Sequence, residues 1–304
     1  MSKLVSVIIP TYKRPETLSR SINSVLNQTY QNIEVIVADD NGIGTEYGLK
    51  TEEVMKGYSN DARVKYVQHE NNINGSAARN TGFRASQGEY IMFLDDDDEF
   101  LPEKVESQLN RLESLDDSWG ACYSNYIRVS TDGTKLVSRC KEYAEGDMYF
   151  EELRRNFFIA AGSNLMIRRY IFEEVGGFNE NFLRNQDVEF LIKILKKYKI
   201  ARADKVGLKV YVHKKKLKET HEQITKKFIE NFKNEIDALD EDKQKEFYKM
   251  INLQRFRSFV MKKNTRREAI ELIKNKEVRL IDAIRYFIHL GYRKIFKVSC
   301  GFKL

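Results

Sequence analysis

Over its first 100 residues the chain alternates between unbroken apolar runs and stretches whose apolar side chains recur every three or four positions. VSVIIP (Val5–Pro10) and IEVIVADD (Ile33–Asp40) are β-branched runs bounded by Pro and by acid, the pattern of strands buried on both faces. Between them, Leu18, Ile22, Val25 and Leu26 predict a helix over Thr17–Gln28. A helix over Thr45–Tyr58, a strand over Val64–His69 and an Ala-rich helix over Asn74–Gly88 come next. EYIMFLDDDD (Glu89–Asp98) reads as a fourth strand. Apolar strands alternating with helices imply a parallel sheet covered on both faces, and so an α/β fold.

The pattern then loosens. Pro102–Leu115 reads as a helix with Pro near its start, a favoured first-turn position. Gly120–Ser130 and Thr134–Arg139 flank TDGT, a hairpin signal, and Ser163–Arg169 is a short strand. Gln186–Tyr198 is an amphipathic helix that begins with an acid, and Ala201–His213 closes the mixed region. Beyond Lys214 the spacing of Ile224, Phe228, Phe232, Ile236 and Leu239 is helical throughout. We therefore expect an α/β domain over 1–213 and a helical region over 214–304.

Charge divides the chain at the same place. Residues 214–304 hold 24 Lys/Arg against 13 Asp/Glu, a net of +11, whereas residues 1–213 hold 28 against 32, a net of −4. The basic part is a candidate for an anionic surface. No apolar stretch approaches the ~20 residues needed to span a bilayer, and the opening apolar run is too short for a signal peptide. The three cysteines, Cys122, Cys140 and Cys300, lack CxxC spacing, which argues for a reducing compartment without disulfides or a zinc knot. A cytoplasmic protein is expected.

Ligands in open α/β sheets bind beyond the carboxyl ends of the strands. Three of the four strand ends here are chemically distinctive: Pro10-Thr11-Tyr12-Lys13-Arg14, Asp39-Asp40 and Asp95-Asp96-Asp97-Asp98. One acidic strand end is unremarkable, since Asp is a good turn and capping residue. Four consecutive carboxylates repel one another, however, and become tolerable when a dication and a basic residue share the site. Mg²⁺ or Mn²⁺ held by carboxylates together with substrate phosphates fits this pattern. Tyr12 offers a flat face for a base, Arg14 and Arg79 offer charge for phosphate, and Asp40 can accept from a base N–H or a ribose hydroxyl. Neither GxxxxGK[ST] nor GxGxxG occurs, and HExxH and GxSxG are also missing, which argues against P-loop, dinucleotide-binding, zincin and serine-hydrolase chemistry.

Taken in order, VSVIIPTYKR, IEVIVADD, NGSAARNTG, FLDDDDEF, VGGFNENF and NQDVEF resemble the motifs of family 2 glycosyltransferases across residues 4–213. The resemblance implies a GT-A fold, a Rossmann-like mixed sheet flanked by helices, here with a C-terminal helical appendage. It also implies an inverting transfer of sugar from a nucleotide sugar. Carried over by position, Pro10, Thr11, Tyr12 and Arg14 look like the nucleotide-binding loop, with Tyr12 against uracil. Asp40, with Asp39 beside it, looks like the uracil-reading carboxylate, and Arg79 like a further donor contact. Asp95 or Asp96 would lie near the ribose and Asp97 on the metal. Asp187 is similar to the family's catalytic base, and His213 falls where many members place a His near the pyrophosphate or metal. Tyr123, Asn125, Ser163 and Asn164 fall where acceptor contacts would lie. Two departures are Gln186, where Glu is commoner, and Asn41-Gly42, where Gly-Ser is commoner.

Two of these residues keep a plainer reading. Asp187 can simply cap its helix; as a base, its place at a helix start is expected to lower its pKa and keep it ionised. His213 can simply end a strand. The implied partners are a UDP-sugar and a glycan or lipid-linked saccharide acceptor. A sugar-nucleotide nucleotidyltransferase would need a Gly-rich loop after the first strand, which PTYKRPE lacks. A non-enzymatic nucleic-acid-binding protein would not place acid in its cleft. In the tail, Leu280, Ile284, Phe287, Gly291, Ile295 and Val298 form one stripe with Arg285, Arg293, Lys294 and Lys297 off it. Such a helix packs on the protein or on a second copy as a homo-oligomer, or lies at the inner face of a membrane as a peripheral contact.

Overall fold

The structure, a computed structural model, describes residues 2–182, 184–213, 220–262 and 265–304. It forms two compact units, one of Met1–Tyr149 with Ile159–Val212, the other of Phe150–Phe158 with His213–Leu304. The boundary expected at Lys214 falls within 214–219, outside the described residues. That residues 150–158 group with the helical unit was not anticipated by any local pattern.

The first unit opens with β1 (Val5–Thr11), α1 (Pro15–Leu26), β2 (Ile33–Asp39), α2 (Glu46–Lys56), β3 (Val64–Gln68), α3 (Gly75–Ala85) and β4 (Tyr90–Phe93). β1 and β2 are buried along almost their whole length, as unbroken β-branched runs require. Next come β5 (Glu99–Phe100), α4 (Lys104–Glu113) and the long hairpin of β6 (Trp119–Ser130) and β7 (Leu136–Cys140). After α5 (Tyr149–Leu153) stand α6 (Ala161–Asn164), β8 (Met166–Arg168), α7 (Arg169–Glu174), α8 (Gln186–Leu195) and β9 (Lys199–Val212).

Within this unit the strands run in the order β7-β6-β8-β4-β1-β2-β3, with β9 joining β6 to β5. β4, β1, β2 and β3 are parallel, in register Met92↔Val7↔Val35↔Val64. β8 is antiparallel to β4 and β6, so the sheet is mixed. The expected fourth strand is shorter than predicted. It ends at Phe93, and the Asp98 amide donates to the Asp95 carbonyl at 3.0 Å, so the four acids form a turn. An apolar run shows where a strand lies, but the acids beyond it do not reveal in sequence that the chain turns there.

Five phenylalanines lock α3, α7 and α8 to β4. Phe83 stacks on Phe172 at 3.9 Å and Phe178 on Phe190 at 4.1 Å, with Phe93 edge-on to Phe178 at 5.0 Å. The turn that presents Phe178 needs glycine. Gly177 has φ +63°, and a Cβ there would lie 2.8 Å from Phe172 and 2.9 Å from Asn80. Asn80 also bonds both backbone groups of Phe178, at 2.9 Å each. Together these contacts set the N-terminus of α8, where Asp187 sits.

The second unit holds α9 (His221–Asn231), α10 (Lys233–Asp237), α11 (Glu241–Met261), α12 (Arg266–Lys274), α13 (Leu280–Ile295) and the short β10 (Val298–Ser299). Thr220 and Gln223 form a capping box on α9, and Asp240 caps α11 through the Lys243 amide. Met250, Leu253, Phe256, Leu272, Ala283, Tyr286 and Phe302 form its core. The expected stripe on the last helix divides: Phe287 is half-buried and Val298 buried, whereas Leu280, Ile284 and Ile295 are exposed.

Candidate active site

β2 and β4 lie on opposite sides of β1, so the strand order reverses at β1 and a crevice opens beyond its carboxyl end. Two of the predicted segments meet there. Thr11 donates its hydroxyl to Asp96 at 2.8 Å and the Tyr12 amide donates to the same oxygen at 3.2 Å. Arg14 pairs with Asp96 at 2.8 Å and with Asp97 at 2.6 Å. Asp96 is only 3 % exposed, and burial pushes its carboxyl up to about 6 against the pull of Arg14. Asp96 therefore holds the opening loop through both of its oxygens. Tyr12 is 40 % exposed beside it, and Pro10 is half-buried in the strand behind.

Among the described residues, Asp95, Asp97 and Asp98 each bring a carboxylate oxygen within 4.8 Å of the others. Asp98 is buried, accepts from the Ser163 hydroxyl at 2.7 Å and from the Tyr211 amide at 3.2 Å, and is pushed up to about 8 by burial and by Asp95. Three oxygen donors with one carboxyl held protonated by its neighbours fit a hard divalent cation, whose charge would reverse that shift. Arg20 braces the turn, donating to the Asp97 carbonyl at 2.7 Å with its guanidinium 3.7 Å over the Tyr211 ring.

The acids at the end of β2 divide their work. Asp39 is wholly buried and accepts from the Tyr66 hydroxyl at 2.6 Å and from the Asn41 amide at 2.8 Å, so it serves the interior. Burial pushes its carboxyl up, against those hydrogen bonds. Asp40 accepts from His69 Nδ1 at 2.8 Å, from the Ile73 amide at 2.8 Å and from Asn72 Nδ2 at 2.7 Å. His69 Nε2 lies 2.9 Å from the Thr81 hydroxyl, which itself accepts from Arg84 at 2.7 Å. In neutral His69 the Thr81 proton then points to Nε2 and the ring proton sits on Nδ1, toward Asp40. In the sequence His69 only ends the strand read over Val64–His69; its partnership with Asp40 arises from the pairing of β2 with β3, which no local motif shows.

Across the crevice, Arg79 in α3 pairs with Asp95 at 2.6 Å and donates to the Gly75 carbonyl at 3.1 Å. Gly162 on α6 separates two carboxylates. A Cβ there would lie 3.4 Å from Asp95 Oδ2 and 3.8 Å from Asp187 Oδ2. A Cβ on Gly75 would likewise lie 3.1 Å from Arg79 and 3.6 Å from Gln186. Asp187, in the first turn of α8, thus shares a small space with Asp95 and Arg79. Its carboxyl is raised, not lowered as its helix position suggested: burial outweighs Arg79 and the helix-start amides.

His213 follows β9 and belongs to the helical unit, and it is not among the clustered carboxylates. Tyr123 and Asn164 are wholly buried, which overturns the expectation of acceptor contacts from them. Asn164 instead accepts from Lys104 at 2.6 Å, and burial pushes that amine down to about 7. Ser163 faces Asp98 and also accepts from the Asp95 amide at 3.0 Å. Asn125 is half-buried, and Trp119 packs against the core.

Residues 6–176 match the model of glycosyl transferase family 2. The chain belongs to that family. An uncharacterized glycosyltransferase of Rickettsia felis is 33% identical over 200 residues, covering 64% of this chain and 31% of that protein. The amylovoran biosynthesis glycosyltransferase AmsB of Erwinia amylovora is 30% identical over 209 residues, covering 67% of this chain and 65% of AmsB. The chain thus spans about a third of the first relative and just under two thirds of the second. Among solved structures, S. aureus TarS 1–349 superposes with TM-score 0.62 at 18% identity, covering 83% of this chain and 71% of that one. The same TarS segment in complex with UDP-GlcNAc gives 0.61 at 17% identity, over 80% of this chain and 70% of that chain. The likeness shows the GT-A fold that the motifs implied.

Proposed function

We propose that this family 2 protein transfers a sugar from a UDP-sugar to an acceptor hydroxyl with inversion, in the assembly of a surface polysaccharide, lipid-linked oligosaccharide or glycoprotein glycan. The observation that carries the reading is the convergence of Arg14, Arg79 and the Asp95–Asp97–Asp98 cluster on one crevice with Asp187 at its side. That a relative of the same fold binds UDP-GlcNAc, and that AmsB acts in amylovoran biosynthesis, supports the donor and acceptor classes. The protein would act in the cytoplasm, where nucleotide sugars are supplied.

In this reading Tyr12 presents its ring to uracil and Asp40 accepts the base N–H, its orientation held by His69 and Asn72. Arg14 and Arg79 neutralise the diphosphate. Asp187 takes the proton of the acceptor hydroxyl as that oxygen bonds to the anomeric carbon and the bond from that carbon to the UDP oxygen breaks. A carboxyl raised toward neutrality is a better base than an ordinary one. Mn²⁺ or Mg²⁺ would be held by Asp95, Asp97 and Asp98, and when bound supplies Lewis-acid stabilisation of the departing UDP.

The test is nucleotide release from a panel of UDP-, GDP- and TDP-sugars with Mn²⁺, without acceptor, paired with calorimetry of UDP binding. Turnover of one UDP-sugar that Asp97→Ala abolishes is expected. No turnover of any sugar nucleotide, together with no UDP binding in the presence of metal, defeats the reading.

A further inference from the structure

The helical unit carries an apolar surface that no described part of the chain covers. α13 turns Ala283 and Tyr286 into the core and half-buries Phe287 and Leu290. Its opposite side exposes Ile281, Ile284, Ile288 and Ile295 at 58%, 48%, 68% and 76%. At 3.6 residues per turn these four isoleucines fall within an arc of about 60°. Leu280, Tyr292 and Phe296, also exposed, widen the stripe. Apolar area of this extent on one helix face marks a contact surface.

The charge beside the stripe says what kind of contact. Arg285 borders the isoleucine arc, and the exposed Lys294 and Lys297 lie in the last turn and just past the helix end. From Arg279 to Leu304 the chain holds six Lys/Arg and a single acid, Asp282. That acid is buried and paired with Arg279 at 2.7 Å and Lys249 at 3.3 Å, so the exposed charges of α13 are all positive. No described helix is long and apolar enough to cross a membrane. An apolar arc edged by cations is the geometry of a helix lying in a bilayer interface, with its apolar side chains at the headgroup–acyl boundary.

We propose that α13 docks this face on an anionic lipid bilayer. The isoleucines enter the interface while Arg285, Lys294 and Lys297 pair with lipid phosphates. A second copy of the chain fits less well, because stripe-on-stripe packing would bring the cations of both copies together with no exposed acid on the helix to meet them. The inference rests on the helical unit alone and is independent of glycosyl transfer.

Flotation of the full chain with vesicles tests it, comparing phosphatidylcholine alone with phosphatidylcholine containing about a third phosphatidylglycerol. The wild type is expected to float with the anionic vesicles and to be released by salt. Partitioning should fall at least about tenfold for neutral vesicles, for Ile284→Ser/Ile288→Ser and for Arg285→Glu/Lys294→Glu. All four side chains are exposed, and circular dichroism confirms that the variants fold. A wild-type chain that stays soluble with anionic vesicles overturns the proposal. Binding that survives the isoleucine substitutions overturns it as well, since the cations would then act without the stripe. A concentration-dependent dimer that the same isoleucine pair dissolves reassigns the face to contact between copies.

Discussion

Replacing Asp98 with Asn separates the two electrostatic states open to the carboxylate cluster. In the metal-free chain Asp98 is 5 % exposed, faces Asp95 and Asp97, and has its carboxyl pushed up to about 8. At neutral pH it is therefore mostly protonated, and an amide mimics it in shape and charge. The amide oxygen can still take the Tyr211 N–H and its NH₂ can face Ser163. A carboxyl raised on folding contributes stability that is fully present below its unfolded value, near 4, and is lost as pH rises through about 8. The loss runs at about 1.4 kcal/mol per pH unit between those limits, and the amide escapes it. From about pH 5.5 to about pH 7.5 the stability difference between the two proteins should move roughly 2–3 kcal/mol in favour of Asp98→Asn.

Urea unfolding in chelator, followed by circular dichroism at the two pH values, measures that difference through the shift in midpoint. Adding Mn²⁺ should invert the ranking. A ligand that binds only the folded state adds about 2.7 kcal/mol at a hundred times its Kd, and the amide forfeits part of that affinity. If the pH curves of wild type and Asp98→Asn run parallel, Asp98 is ionised in the metal-free fold and the burial argument fails. If Mn²⁺ stabilises both proteins equally, Asp98 is not a ligand.

Other expectations rest on the same geometry. Asp187→Asn should lower kcat about 10²–10⁴-fold while calorimetric UDP binding stays within about twofold of wild type. His69→Ala removes a donor from a buried carboxylate and should weaken UDP binding roughly tenfold or more. His69→Asn, whose amide can reproduce the Nδ1–H bond, should recover most of that loss. Gly177→Ala forces a left-handed φ and a clash with Phe172; a loss of about 1–3 kcal/mol in urea unfolding is expected. Mn²⁺ should tighten UDP binding, and UDP should tighten Mn²⁺ binding by the same factor, in paired titrations.

The apolar runs of β1 and β2 announced themselves because both faces of those strands are covered, and periodicity needs nothing but local chain. The candidate site was legible as far as its strand ends. The hidden part depended on register and direction. Four identical carboxylates cannot be told apart in sequence, yet the turn at Asp95–Asp98 sends Asp96 back to Thr11 and Arg14 while the other three cluster. His69 finds Asp40 only because β3 lies beside β2. Residues 150–158 are too short to declare which core they join. On α13 the helical period was plain, but two apolar faces shared it, and only packing decided that Phe287 turns inward and Ile288 outward.

The site's cations and anions are paired with one another before any ligand arrives: Arg14 with Asp96 and Asp97, Arg79 with Asp95. A dication binding Asp95, Asp97 and Asp98 must compete with both guanidinium groups and displace the proton on Asp98. That alone is unfavourable, because it leaves two arginines with weakened partners in a partly buried crevice. A diphosphate arriving alone meets the opposite difficulty, facing carboxylates that repel it. Were both to arrive together, the metal would take Asp95, Asp97 and Asp98 and the diphosphate would take the guanidinium groups of Arg14 and Arg79, while the buried Asp96 would keep its bonds from Thr11 and the Tyr12 amide. In the proposed reaction the crowded acids of FLDDDDEF would thus make the site receptive to metal and nucleotide as a pair and resistant to either alone.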